Sequence, residues 1–403
     1  MVYTKNTTAG HHQQDTDYYC GAATAQMILD SIGAGLLDQN TLYNSNHSHN
    51  TQSGWATDPD GLNFTLNNYK QLSPTFHSYF VIARPDTELE GSRRIIGAIE
   101  VYGFPTGTLV FGCGHWIVVR GFSIDVSPTS PAYSILGFFV NNPWPPTPSF
   151  YNAALAPPPP HSVGDGCGTG GNRGIANEYI TYTQWANTYL TGCDVWNVGH
   201  NQYVSVVDPR MPKLGELAVK HEKIRAKGDR LITFAEAADF VLRSVKEHNL
   251  LRDEHFVKAL KGAKPSQPVL VQRLDLPDTY YYLIPMKTDK GTTAMLSIGG
   301  LHGEFQGGQA FTKPAKEILK RPVDVSKELK NFLRKPIELG ERLGKLIIRE
   351  GAYCFHPLMV WRPCEESRSP YYPFYMITVG NRQIYIGYDG QIYPRLHDLN
   401  PGG

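Results

Sequence analysis

Four residues in the first part of the chain could together carry out acyl transfer: Gln14, Cys20, His115 and Asn142. Cys20 opens the first strongly helical stretch, residues 20–32 (CGAATAQMILDSI), where small and apolar side chains recur at helical spacing up to Gly33. A thiol at a helix N-terminus feels unpaired backbone N–H groups and the positive end of the dipole, and both favour the nucleophilic thiolate. Gly21 leaves the backbone bare beside it, where a substrate chain would need to approach. A cysteine nucleophile also needs a base. The best candidate is His115 in GCGHWIVVRG (112–121), at the start of a hydrophobic strand and flanked by glycine. The imidazole in turn needs an orienting partner. The run FFVNNPW (138–144) ends the next strand and delivers a side-chain amide a hairpin's distance further on. Asn142, directly before Pro143, is the expected orienter, with Asn141 as the alternative. Gln14, shortly before Cys20, is placed to donate a side-chain N–H to a developing oxyanion, with the Cys20 backbone N–H as second donor. A single buried cysteine is ordinarily an inert small hydrophobe, and Asn-Pro ordinarily opens a turn. The signal lies in the ordered set.

Residues 14–27, 115–121 and 140–144 resemble the papain-like cysteine peptidases, nearest the branch of bacterial double-glycine leader peptidases and their unattached relatives. That branch shows Gln, then Cys-Gly-x-Ala, a His strand with a Gly just beyond it, and Asp-Pro after another strand. The resemblance implies a papain-like α+β fold over 1–208, a helix packed on an antiparallel sheet, and a bacterial origin. It implies Cys20 as nucleophile, His115 as base and then acid, Gln14 as oxyanion donor and Asn142 as orienter. The sequence departs from the branch in having Asn-Asn-Pro where Asp-Pro is usual, although papain itself uses Asn. The implied function is a cysteine peptidase hydrolysing peptide bonds through a thioester, with no cofactor or metal. Two alternatives stay open: an amide hydrolase or acyltransferase acting on cell-wall peptide or a natural product, and a catalytically inactive papain-fold binding module.

The elements that must position these residues are readable in outline. Strands are expected over 78–82, 115–121 and 133–141, each β-branched or aromatic and bounded by Gly or Pro. Residues 34–75, rich in Asn, Ser, Thr and Gly, read as loops with short helices. Four prolines at 156–160 and a Gly-rich run at 164–174 make 143–175 a long loop region. In the second half, Thr233 and Glu236 form a capping box that opens an amphipathic helix to about Asn249. Residues 280–285 and 292–298 read as a hairpin, 313–350 as a Lys/Arg-rich helical stretch, and 373–379 with 383–388 as a terminal hairpin. The 280–285 strand and the one after it faintly resemble PepSY-like modules, which implies regulation or substrate recruitment.

Length and charge bound the rest. The chain has 403 residues, 41% hydrophobic and 19% charged, with a net charge of +1. This suits two domains and excludes a disordered chain or a globally basic nucleic-acid binder. The near-zero charge hides an asymmetry: residues 1–208 carry 7 Lys/Arg and 15 Asp/Glu, and residues 209–403 carry 31 and 22. The shift falls at the proline-containing run 208–213, the expected boundary between a papain-like domain (1–208) and a basic α+β domain (209–403). Attraction between the two, with a regulatory contact, is one expectation; two separately solvated halves is the other. The basic stretch 313–349 could touch nucleic acid, but a solvated helix pair docked on the acidic half is preferred. His11-His12 and His47-Ser-His49 read as solvated histidines and not metal ligands. The partner expected is a peptide or protein substrate, with no membrane. No basic-then-apolar segment opens the sequence, so a cytoplasmic chain is expected, or a secreted one if a leader has been removed. The six cysteines are accordingly read as reduced thiols, although Cys167–Cys193 or Cys354–Cys364 could close loops under oxidising conditions.

Overall fold

His115–Ile124 is buried at every position and is the strand around which the first half is built. Its alternation sends Trp116 and Val118 to one face, where they pack with helix residues Ala22, Ala25 and Ile28. Ile117 and Val119 go to the other face, against Ile95, Ile96 and Ile99 of a second helix. Because both faces are covered, the strand reads as an unbroken apolar run. The computed structural model describes residues 2–144, 175–193, 202–208, 216–217, 230–315, 319, 336–338, 345–347, 354–379, 382–387 and 390–402.

The helices of the first half are α1 (Cys20–Ser31), α2 (Gln39–Ser48), α3 (Pro59–Tyr69) and α4 (Glu88–Tyr102). The strands there are β1 (Tyr3–Asn6), β2 (Val81–Ala83), β3 (Thr106–Val110), β4 (His115–Ile124), β5 (Ala132–Tyr133), β6 (Ile135–Asn141), β7 (Ile175–Thr181) and β8 (Ser205–Val207). After them come β9 (Glu216–Leu217), β10 (Lys264–Pro265), β11 (Val269–Arg273), β12 (Tyr280–Thr288), β13 (Gly291–Gly299) and β14 (Phe305–Ala315). The last are β15 (Pro336–Glu338), β16 (Lys345–Ile347), β17 (Cys354–Trp361), β18 (Phe374–Val379), β19 (Arg382–Ile386) and β20 (Ile392–Tyr393). Helices Phe234–Glu247 and Glu254–Leu260 pack on the strands of the second half.

The result is α+β. One large sheet runs in the order β2-β8-β3-β4-β6-β7-β14-β13-β12-β11-β17-β18-β19-β20, with β1 added on β4 and β10 on β12. The pairs are antiparallel apart from β11 with β17 and the small β5–β9 pair. The strands of both halves belong to this sheet, because β7 pairs with β14 through Ile180 opposite Gly307 and Tyr179 opposite Gly308. Of the expected boundary, only Asp208 is among the described residues.

Several expectations shift. The strand expected over 78–82 forms at Val81–Ala83, and the one over 133–141 is two strands, β5 and β6. The stretch 34–75 holds two well-capped helices: Asp38 accepts from the Thr41 N–H and Asp58 from the Gly61 N–H. Helix α4 has a readable start and stop, Thr87 as N-cap and Gly103 in the left-handed region beyond its end. The capping box at Thr233 and Glu236 forms, and its helix ends at Glu247. The helical reading of 313–350 is corrected where the structure describes it. Strand β14 continues to Ala315, and β15 pairs antiparallel with β16. Pro336 lacks the N–H that a helix interior needs, and Ile337 and Ile347 are β-branched. Of the long loop region expected over 143–175, residues 145–174 lie outside the described residues. Among the described residues no helix is long and apolar enough to cross a membrane.

Candidate active site

Cys20 is the first residue of α1, and Tyr19 before it offers no side-chain cap, so the first-turn N–H groups keep their polarity toward this end. From Cys20 to Leu29 every residue is buried. Gly21 has a different reason from the expected one. A Cβ there would stand 2.5 Å from Cβ and Oγ1 of Thr57, so the glycine makes room for Thr57 and not for a substrate backbone. The Cys20 thiol meets β4 directly: the Trp116 N–H points at Sγ over 3.4 Å.

His115 begins β4 after a tight turn. Phe111, Gly112 and Cys113 all adopt left-handed φ, at 54°, 66° and 70°. Two of these are not glycine, a strained arrangement that its surroundings must hold. The Gly114 N–H donates to the Phe111 carbonyl and the Phe111 N–H to the Tyr189 carbonyl, at 3.2 and 2.8 Å. A Cys113–Cys193 disulfide, with Cα atoms 5.0 Å apart, ties the turn to the chain 80 residues on. This corrects the reading of all six cysteines as reduced thiols. Spacing offered Cys167 as the partner of Cys193 and Cys354 as that of Cys364, but it is the fold that brings 113 beside 193. Among the described side chains Cys20 and Cys364 are free thiols; Cys167 lies outside the described residues.

The strand before Pro143 delivers Asn142 as follows. Asn142 Oδ1 accepts the Trp144 N–H at 3.0 Å, and Nδ2 donates to the Arg368 carbonyl at 3.2 Å. These two partners fix which end of the amide is oxygen. Oδ1 then lies 2.9 Å from His115 Nε2, and an amide oxygen can only accept, so Nε2 carries the ring proton. Nδ1 is left with its lone pair, buried and without a hydrogen-bond partner among the described residues. Asn141 turns elsewhere, its Nδ2 donating to the Ala9 and Gly10 carbonyls. His11 Nε2 sits 2.7 Å from the Asn142 carbonyl, and burial pushes this imidazole down to about 4.

Gln14 is buried beside the same segment. Its backbone N–H donates to the Pro143 carbonyl, and its side-chain N–H to the Thr16 carbonyl at 2.6 Å. The side-chain nitrogen carries a second hydrogen. Burial raises the Cys20 thiol and lowers His115 well below its usual range. The Arg368 charge opposes the shift at Cys20 and adds to the one at His115. Burial taken alone therefore favours the uncharged form of each group.

No family model, curated protein or solved structure matches this chain.

Three further contributors had little or no sequence signal. Arg368 lies over the Trp144 ring at 5.4 Å and donates to the Asp17 carbonyl, so a residue of the second half braces the site. Glu178, on β7, accepts from Ser369 and Gln309 at Oε1 and from Tyr189 at Oε2. Burial raises its carboxyl to about 7. A carboxylate inside the strand run IANEYIT was the readable hint. The third is Gly402, whose carbonyl oxygen lies 3.6 Å from Cys20 Sγ and whose N–H donates to the Cys113 carbonyl at 2.8 Å. The other histidine candidates serve packing: His47 stacks on Tyr43, and His49 on Phe64. Among the described residues no group of three His, Cys, Asp or Glu is gathered to hold a metal.

Proposed function

We propose that the chain is a papain-like cysteine peptidase. The observation that carries this reading is His115 with Nε2 protonated toward Asn142 and a bare Nδ1, on the strand whose next N–H points at the helix-terminal Cys20 thiol. In the cycle, Nδ1 takes the thiol proton and the thiolate attacks a peptide carbonyl carbon. The Cys20 N–H and Gln14 face the oxyanion. The imidazolium then gives its proton to the leaving amine as the C–N bond breaks. His115 next deprotonates a water that hydrolyses the thioester, which releases the acid and restores the thiol. A segment of ordinary polypeptide lying against Sγ supports a peptide-shaped groove over the closed pocket that a natural-product acyltransferase would need. The Cys113–Cys193 bond favours an oxidising compartment over a reducing cytoplasm.

The test is the rate of Cys20 alkylation against pH, read by mass spectrometry in the full chain and in His115→Ala. An unassisted thiol loses reactivity below its pKa of about 8.5, whereas one paired with an imidazole keeps it several units lower. The expected result is a low-pH limb in the native chain that His115→Ala removes and Asn142→Ala weakens about tenfold or more. Identical profiles in native and His115→Ala would leave the inactive binding module as the better reading.

A further inference from the structure

Glu178 is buried behind the site and has no task in the catalytic cycle. Strand register puts it there. Glu178 on β7 stands opposite Val140 on β6, so their side chains share one face of the sheet, and Asn142 follows two residues beyond Val140 on that side. A bulge aims it. Gln309 pairs with Glu178 but Ala310 pairs with Ala176, which leaves Asn177 as the extra residue, at a φ of +64°. A bulge turns the side chains beside it, and a left-handed φ at a residue other than glycine is held only by its surroundings. The Glu178 carboxyl then meets the supports of the catalytic amide. Ser369, which donates to Oε1 at 3.2 Å, directly follows Arg368, whose carbonyl takes one N–H of Asn142. An amide nitrogen carries two hydrogens, and the other is left for Glu178, where Asn142 joins Ser369 and Tyr189 in favouring the ionised carboxylate. Tyr189, the donor to Oε2, packs on Phe111, whose ring is stacked with His115. The other titratable groups facing the carboxyl are Tyr189 and Tyr371, both kept protonated well above their ordinary range by burial, with Tyr281 beyond them. Gln309 on β14 is neutral, and the Arg368 guanidinium turns away to Trp144 and the Asp17 carbonyl.

We propose that Glu178 is a positioning residue for the peptidase reaction: it fixes the Asn142 amide through the second N–H and, when ionised, polarises that amide toward His115. Charge on the carboxylate draws the amide N–H and leaves more electron density on Oδ1, the atom that holds the His115 Nε2–H. The stronger hydrogen bond favours the imidazolium that forms when Cys20 gives up its proton. The proposal rests on the peptidase reading and adds a third residue behind the nucleophile and base. Because burial raises the carboxyl to about 7, this support is present above that pH and is lost as the carboxyl takes up a proton below it. A carboxyl buried without a cation costs stability wherever it ionises, and such groups gather at functional sites.

The experiment follows the histidine ring signals of the full chain, isotope-labelled at histidine, by NMR across about pH 5 to 9, beside the same measurement on Glu178→Gln. His115→Ala assigns the ring. Glutamine keeps the shape and an acceptor oxygen but cannot carry the charge. The expected result is an inflection of the His115 signals near pH 7 in the native chain that Glu178→Gln removes. Cys20 alkylation at about pH 8 should slow about tenfold in the variant, the effect of a tenfold weaker hold of the imidazole on its proton. Urea unfolding of the same variant should show no loss of stability. Slower labelling in a chain that is at least as stable is an outcome that a merely structural role does not give. An inflection that persists in Glu178→Gln, or none in either chain, overturns the proposal. The low-pH limb of Cys20 labelling is read in both chains. A limb equal in both keeps the peptidase reading and discards the role of Glu178. An ordinary thiol profile in both, with a His115 inflection that depends on Glu178, keeps the contact through Asn142 and discards the peptidase.

Discussion

Glu178 shows how a single buried group can set the pH behaviour of the region behind the site. Burial raises its carboxyl to about 7 against an ordinary 4.5, so the folded state prefers the protonated form. Its contribution to stability is complete below pH 4.5 and is lost as pH rises through 7. His11 and His248 act oppositely. Burial lowers both to about 4 from 6.5, so their contribution is present above 6.5 and is lost as pH falls through 4. A total pH profile mixes these signs, and a difference measurement separates them. Glu178→Gln keeps the shape of the neutral acid and cannot ionise. It should match the native chain near pH 4.5 and exceed its stability by about 3 kcal/mol above pH 8, measured by urea unfolding at both ends. No pH dependence in that difference would mean that Glu178 titrates in the fold as it does in the unfolded chain.

At the scale of elements, two contacts decide where Cys20 and His115 stand. Helix α1 approaches Thr57 so closely that Gly21→Ala must push it away, at a cost of about 1–3 kcal/mol. Thr57→Gly should restore part of that loss in the double variant, and thermal unfolding of the single and double variants reads it. The second contact is the disulfide before β4. It closes a loop with a sequence separation of 80, which the chain-entropy relation values at about 4.5 kcal/mol. Cys113→Ser with Cys193→Ser should lower stability by a sizeable part of that. It should also loosen the left-handed turn at 111–113, seen as faster amide exchange at Gly114 and His115. An unchanged exchange rate there would show that hydrogen bonding alone holds the turn.

Across the whole molecule, Asp253 is a buried link between the halves. It caps helix Glu254–Leu260 through the His255 and Phe256 N–H groups, pairs with buried Arg120 at 2.9 Å, and accepts from Asn6 at 2.8 Å. Removing one partner of a buried ion pair leaves the other charge stranded, at about 3–5 kcal/mol. Asp253→Ala should therefore destabilise both halves together. With the sheet unbroken through β7 and β14, native unfolding is expected as one calorimetric transition. Two separate transitions, with only the later strands sensitive to Asp253→Ala, would mean two independent domains at 1–208 and 209–403.

What the sequence determined alone is what repeats over a few residues. The apolar spacing of 20–32 dictated α1, the continuous run after His115 dictated a strand covered on both faces, and Thr233 with Glu236 dictated a helix start. Asn142 was favoured by its place before Pro143, but which amide meets the imidazole depends on the Trp144 N–H and the Arg368 carbonyl, the latter far away in the chain. The Cys113–Cys193 pairing, the Thr57 contact at Gly21 and the seat of Gly402 against Cys20, 382 residues away, were decided by tertiary structure. Periodicity records which face of an element is apolar. It carries no mark of which distant segment covers that face, because such contacts form only when the whole chain is packed.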